Sequence, residues 1–261
     1  SGRGRATFVG PTRAVVTTEG GTSLYDLANA EERNRGLAAH AGAGLRSAVA
    51  SVSTRALIVG GDVAGEPVDG ITWLLEDGAV APTDMSLETP RRDAAAAFLG
   101  QLAIVAGGSQ DGPVAELLNL NTETSTPIPF DDGVREGAVL ARDGEALLLL
   151  GGTNESGELR TDTVSILGCP SACRAEAGPA WDTARDGAVF ESGFLAGGDL
   201  VERVSLQAGV WTFEPAFELV RSRQSPLLIR LESGILVVAA GVGETPRSDV
   251  EVCWPETLEP L

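Results

Sequence analysis

The chain of 261 residues contains no lysine; its nineteen basic residues are all arginine, which reads as coding bias before chemistry. Thirty-seven acidic residues oppose them, for a net charge of −18. Such a surface repels nucleic acid and anionic lipid and favours basic or cationic partners. Histidine and tyrosine occur once each. A histidine-based triad could draw only on His40, which sits in LAAHAGAG and reads as a loop histidine. No apolar run approaches the roughly 18 residues of a membrane helix, so no membrane insertion is expected. The loop carboxylates (Asp62, Asp69, Asp111, Asp131-Asp132, Glu155, Glu158, Asp162, Asp199, Glu244) form no D-x-D-x-D-G pattern. Neither a metal site nor a cofactor is read from them. The chain opens in strand-like sequence without a signal peptide, and is expected to be a mature form or a piece of something longer.

Cysteine is also scarce. Cys169 and Cys173 flank Pro170-Ser171-Ala172, and zinc would need two further ligands that no nearby residue supplies. A loop disulfide is the natural reading; it points to an oxidising compartment, hence a periplasmic or extracellular location. Cys253 is left over and reads as a buried free thiol.

What is present is a repeat, clearest at residues 145–167, EALLLLGGTNESGELRTDTVSIL. Leu147 to Leu150 are apolar without alternation, the pattern of a strand covered on both faces. Gly151-Gly152 then supplies positive φ or close backbone approach. A polar loop follows, and Thr163 to Ile166 alternate as a strand with one covered face. The same punctuation returns at Gly20-Gly21, Gly60-Gly61, Gly107-Gly108, Gly197-Gly198 and, degenerately, Ala240-Gly241, with spacings of 40, 47, 44, 46 and 43. Alternating strands recur at Ile71-x-Trp73, Leu118-x-Leu120, Val204-x-Leu206 and Val250-x-Val252. A fourth apolar segment closes each unit, near Val80, Ile128, Trp181, Val210 to Phe213 and Leu258 to Leu261.

Four short strands per repeat of about 44 residues, six times over, predict an all-β, six-bladed propeller with one antiparallel sheet per blade, filling residues 1–261 as a single domain. Around Leu24 to Asn34, where Ala, Glu and Arg accumulate, a helix is the lesser alternative.

These residues resemble the kelch repeat family across all six units. In that family a glycine pair ends the second strand, an Arg-x-x-small element opens the first, and a D-V-E-V-Y-D-P-E-T phrase marks the third. Asp249 to Thr257, DVEVCWPET, is the closest copy here. The third-strand aromatic is replaced by Cys253, Leu120 or Leu206, making this a divergent, aliphatic variant. The resemblance implies either a protein-binding platform or, in fewer members, an enzyme. Copper radical oxidases of this architecture need two Tyr and two His, and this chain has Tyr25 and His40 alone. A sialidase-like Tyr nucleophile would have to be Tyr25, on the outer half of its blade.

By analogy with the same family, the arginine before each inner strand lies near the channel mouth. Arg3, Arg46, Arg92, Arg135, Arg185 and Arg223 would then form a ring able to bind a carboxylate, phosphate or acidic peptide. The competing reading is that each pairs with a carboxylate such as Asp93, Glu136 or Asp186 and pins blade to blade. The leading functional expectation is a non-enzymatic binding or scaffold module that recognises a protein partner through one loop face, within a larger chain or surface assembly. The second is a carbohydrate-active enzyme, epimerase- or lyase-like, with arginine and carboxylate groups in the central channel. A deep channel with a perturbed carboxylate beside arginines favours the second, a plugged channel and a flat, loop-built face the first.

Overall fold

A computed structural model of the chain describes residues 4–10, 12–18, 21–26, 31–33, 46–108, 112–231, 233–243 and 249–254. Among them all regular structure is strand, in six successive antiparallel sheets. Blade 1 is β1 (Gly4–Phe8), β2 (Arg13–Thr18), β3 (Gly21–Asp26) and β4 (Glu31–Arg33). Blade 2 is β5 (Ala48–Val52), β6 (Arg55–Val59), β9 (Gly70–Leu75) and β10 (Val80–Ser86), with a small hairpin of β7 (Asp62–Val63) and β8 (Glu66–Pro67) between β6 and β9. Blade 3 is β11 (Ala95–Leu99), β12 (Leu102–Ala106), β13 (Ala115–Asn119) and β14 (Thr124–Ile128). Blade 4 is β15 (Val139–Asp143), β16 (Ala146–Leu150), β17 (Val164–Leu167) and β18 (Arg174–Ala177). Blade 5 has β19 (Val189–Glu191), β20 (Phe194–Gln207) and β21 (Val210–Arg223), and blade 6 has β22 (Leu227–Arg230), β23 (Leu236–Ala239) and β24 (Val250–Cys253).

The unbroken apolar runs have a direct cause. Along β16, Leu147 and Leu149 pack toward blade 3, while Leu148 and Leu150 pack toward blade 5. Along β12, Ile104 and Ala106 face blade 4, and Ala103 and Val105 face blade 2. Each blade is therefore the filling between its neighbours, and five hydrophobic seams join blades 1 through 6. At about 1.5–3 kcal/mol per buried aliphatic side chain, these seams are the main favourable term. The glycine pairs serve the seams at their upper edge. Gly107 has φ +71, and a Cβ there would sit 3.0 Å from the Arg135 carbonyl. That closeness lets Gly108 and Arg135 exchange backbone hydrogen bonds of 2.9 and 2.8 Å between blades 3 and 4.

Between Leu24 and Asn34 the described residues are strand, β3 and β4, and the lesser helical alternative falls away. Three expectations change. In blade 4 the fourth strand is β18, and Trp181 is instead a fully buried plug stacked on Phe213 of blade 5. A Cβ on Gly151 would meet its ring at 2.9 Å, which accounts for glycine there. In blade 5 the glycine pair lies inside one continuous strand that carries both the second- and third-strand roles; the pairing register shifts at Gly198, and the Val204 amide returns to the Gly193 carbonyl at 2.8 Å. Cys253 is half-buried, and its thiol is pushed up by burial and by Glu251. The Leu258 to Leu261 segment and His40 lie outside the described residues.

Cys169 and Cys173 form the loop disulfide, with Cys169 buried in the seam between blades 3 and 4. The inner strands β1, β5, β11, β15, β19 and β22 pack side by side in that order. They enclose a central channel of about 680 Å³ with walls from all six blades.

Candidate functional site at the channel mouth

In blades 3 to 6 the loop entering the inner strand carries an arginine with a fixed task. In blade 3 it is Arg91: Nη1 donates to the Gly107 carbonyl (2.7 Å), Nη2 to the Pro113 carbonyl (2.5 Å) and Nε to Glu116 (3.2 Å). In blade 4, Arg135 donates to the carbonyls of Gly151 and Asp162 and forks onto Asp132 at 2.7 and 2.8 Å. In blade 5, Arg185 reaches the carbonyls of Leu195 and Leu200 and the Glu202 carboxylate, with its guanidinium 5.2 Å over the Trp181 ring. In blade 6, Arg223 holds the carbonyls of Ala240 and Asp249 and the carboxylate of Glu251. Each joins the end of the second strand to the start of the third inside one blade. The side chains of Arg135 and Arg223 are 0% exposed. A guanidinium so placed has no donor left to offer a ligand.

Two residues past each pin, the backbone turns left-handed. Asp93 (φ 52), Gly137 (φ 74), Gly187 (φ 63) and Ser225 (φ 49) occupy this place in blades 3 to 6. In blade 2 the residue is Arg46 (φ 57), two residues before Ala48 where Arg135 stands three before Ala138. All five line the channel. They form a backbone belt: the Asp93 amide donates to the Arg46 carbonyl (2.9 Å), the Gly137 amide to the Asp93 carbonyl (2.9 Å) and the Ser225 amide to the Gly187 carbonyl (2.6 Å). Blade 2 has no arginine pin among the described residues; Ser47 Oγ donates to the Gly60 carbonyl in its stead (2.9 Å).

The sequence-predicted ring thus divides. Arg135, Arg185 and Arg223 are internal pins, Arg3 lies outside the described residues, and Arg46 and Arg92 meet at the mouth. Arg46 donates to Asp93 of blade 3 and to Glu136 of blade 4 (3.2 Å). Arg92 donates to Glu136 (3.1 Å), to Asp62 (3.2 Å) and to the Gly65 carbonyl (3.0 Å). Both side chains are about a quarter exposed, at 23% and 27%. Burial disfavours charge on Arg46, but the hydrogen bond and charge of Asp93, then Glu136, outweigh it and hold the guanidinium more firmly cationic than usual. Among the described residues, two guanidiniums here face three carboxylates (Asp62, Asp93, Glu136). Thr17, Ser47 and Ser225 add hydroxyls to the same end of the channel. Such a mouth offers alternating donors and acceptors, not a cationic ring.

Sequence reasoning missed the counter-ions Glu116, Glu202 and Glu251, which lie 25, 17 and 28 residues beyond their arginines. The signal was present, since each is a lone acid inside an apolar third strand, as in AELL, VERV and VEVC. Tyr25 sits in β3, away from the channel wall. Among the described residues no cluster of His, Cys, Asp and Glu could hold a metal ion.

No protein-family model matches the chain, and no curated protein matches it. Among solved structures it is similar to that titled "Structure of YjhT", at a TM-score of 0.68 and 10% identity, over 95% of this chain and 93% of that one. That protein is a kelch-repeat propeller, and the likeness establishes the same fold here: an all-β, kelch-type propeller.

Proposed function

We propose that this propeller is a sugar-directed enzyme of the epimerase type, working at the charged mouth of its central channel. The observation that carries the reading is the cluster of Arg46, Asp93 and Glu136, drawn from three blades to one end of the central channel. A channel of about 680 Å³ lies within the usual range of small-molecule sites. Paired guanidiniums and carboxylates, with hydroxyls between them, match the vicinal hydroxyls of a neutral sugar.

Epimerisation needs one group to take a proton and another to return one, with no net change. Asp93 and Glu136, on different blades but bound to one guanidinium, supply two such groups. Arg46 provides the fixed positive charge beside them, and its left-handed backbone supports a functional role. A non-glycine residue there costs about 1–2 kcal/mol, a strain that persists where the site requires the side chain. The loop disulfide suits an enzyme of an oxidising compartment, periplasmic or extracellular.

The test is a panel of monosaccharides observed by exchange NMR, with wild type, Arg46→Gly and Asp93→Asn compared. Glycine and asparagine both accept the left-handed conformation, so the fold is retained. Exchange between epimers or anomers should occur with wild type and vanish with Asp93→Asn. A folded wild type that binds no sugar in the panel would overturn the reading. A second reading, recognition of a protein partner, draws support from the groove between blades 5 and 6, where Val220, Val252 and Trp254 are exposed beside Phe217.

A further inference from the structure

The channel is polar at both ends. From Ala48, just past the Arg46 turn, β5 runs to Ser51, so at about 3.3 Å per residue the far mouth lies roughly 10 Å along the strand from its start. The wall between is small and apolar, built from Ala50, Ala95, Ala96, Ala188 and Val139. At the far end stand Arg142, Phe98, Phe190, Glu191 and Ser192.

Arg142 is held in one pose although its side chain is exposed. Nε donates to the Gly144 carbonyl (2.8 Å), and Nη1 crosses to the Phe98 carbonyl of blade 3 (2.6 Å). Nη2 has no protein partner among the described residues. Ser192 Oγ donates to Glu191 (2.5 Å), leaving the rest of that carboxylate to accept, and Thr7 and Ser51 share a hydroxyl contact of 2.7 Å. Phe190 of blade 5 puts a half-buried ring beside Arg142's blade, while the Phe98 ring of blade 3 turns to blade 2 and stacks on Trp73 at 6.0 Å. A poised donor, a carboxylate acceptor and a ring are what a sugar unit uses, its hydroxyl edge on the polar groups and its C–H face on the aromatic. One sugar at the Arg46 mouth could not touch any of them.

We infer that the far mouth is a second saccharide subsite and that the natural ligand is a linear oligosaccharide spanning the channel, with Arg142 as the residue that reads its distal unit. This rests on the reading of the channel as a sugar site. The two separate in a titration of wild type and Arg142→Gln with glucose, mannose and galactose and with a β-linked linear tetrasaccharide of each, followed by calorimetry. At least one tetrasaccharide should bind tenfold or more tighter than its monosaccharide. Arg142→Gln should erase most of that gain while leaving monosaccharide affinity within twofold of wild type. Phe190→Leu, which keeps an apolar side chain in the blade 4–5 seam, should erase part of it. If monosaccharides bind but tetrasaccharides bind no tighter, or if the gain survives Arg142→Gln, the second subsite is wrong and the mouth assignment stands. If none of the six probes binds, both fall together.

Discussion

Arg135 and Arg46 sit one turn from the same channel, yet their energetics are opposite. Arg135 is buried, with relaxed backbone, and spends its donors on Asp132, Asp162 and two carbonyls of its own blade. Arg46 is partly exposed, has φ 57, keeps a buried Nε without a partner and bonds only to carboxylates of other blades. The first pattern stabilises the fold; the second is tolerated by it. The lesson is that identical residues at nearly identical repeat positions divide by backbone phase. Two residues past the pin, the left-handed turn aims a side chain at the axis, and blade 2 fills that place with a long cation where blades 3 to 6 have Asp93, Gly137, Gly187 and Ser225.

The largest break in this comparison is Arg135→Ala. It strips two of the three guanidinium hydrogen bonds from Asp132, whose side chain is 3% exposed and keeps only Arg160, and frees two carbonyls. Loss of one partner of a buried pair costs about 3–5 kcal/mol. For a chain of this size a drop in Tm of about 10 °C is expected by calorimetry. An unchanged Tm would mean that Arg135 is not a pin. Next is Glu116→Gln. Glu116 accepts from the amides of Glu88 and Thr89, from Arg91 and from Ser125 Oγ, all with its side chain fully buried. Arg91 already has its pKa lowered by burial against the pull of Glu116. Removing the anion leaves the cation alone, at about 2–3 kcal/mol for a charged hydrogen bond in such a place.

How far the sequence carried depended on whether the deciding contact lay within a repeat. Leu147 to Leu150 announced a strand covered twice because both seams write into one run. The glycine pairs were legible because positive φ leaves few substitutes. The pin in blade 3 was misplaced by one residue, to Arg92, because two arginines stand together and only backbone phase separates Arg91 from its neighbour. The mouth cluster was half-legible: Asp93 and Glu136 were named as partners, but their carboxylates cross between blades, and sequence spacing says nothing of distance between blades. The fused β20 and the plug of Trp181 were illegible for a related reason. Both depend on what blade 4 leaves open for blade 5.

A smaller, pH-resolved effect isolates the blade 4 pin. Arg160 donates to Asp162 and the charges of Arg135 and Arg160 add to it, outweighing partial burial and lowering its carboxyl from 3.8 to about 2. A depressed carboxylate stabilises the fold above its unfolded pKa, and that contribution is lost as pH falls through the folded value. Stability tied to Asp162 should therefore be intact at pH 5 and decline between about 4 and 2. Its side chain is 57% exposed, so solvent screens the effect. The difference in Tm between wild type and Asp162→Asn should shrink steadily over that window; a difference constant with pH would remove the ion-pair account.

The smallest expected change in stability is the most informative for function. Arg46→Gly deletes a contact to Glu136 that is partly exposed and shared with Arg92, and one to Asp93, whose side chain is 6% exposed, so the loss falls mainly on Asp93. Against it stands the relief of a left-handed backbone that glycine adopts freely, a gain of about 1 kcal/mol. Thermal stability should change by no more than a few degrees, while sugar binding at the mouth weakens by tenfold or more. Stability held at the expense of a ligand is the signature of a residue kept for its chemistry. If Arg46→Gly instead melts early and binds as before, Arg46 is a blade 2–3–4 clasp, its strain repaid by cohesion, and the two arginines differ in position but not in kind.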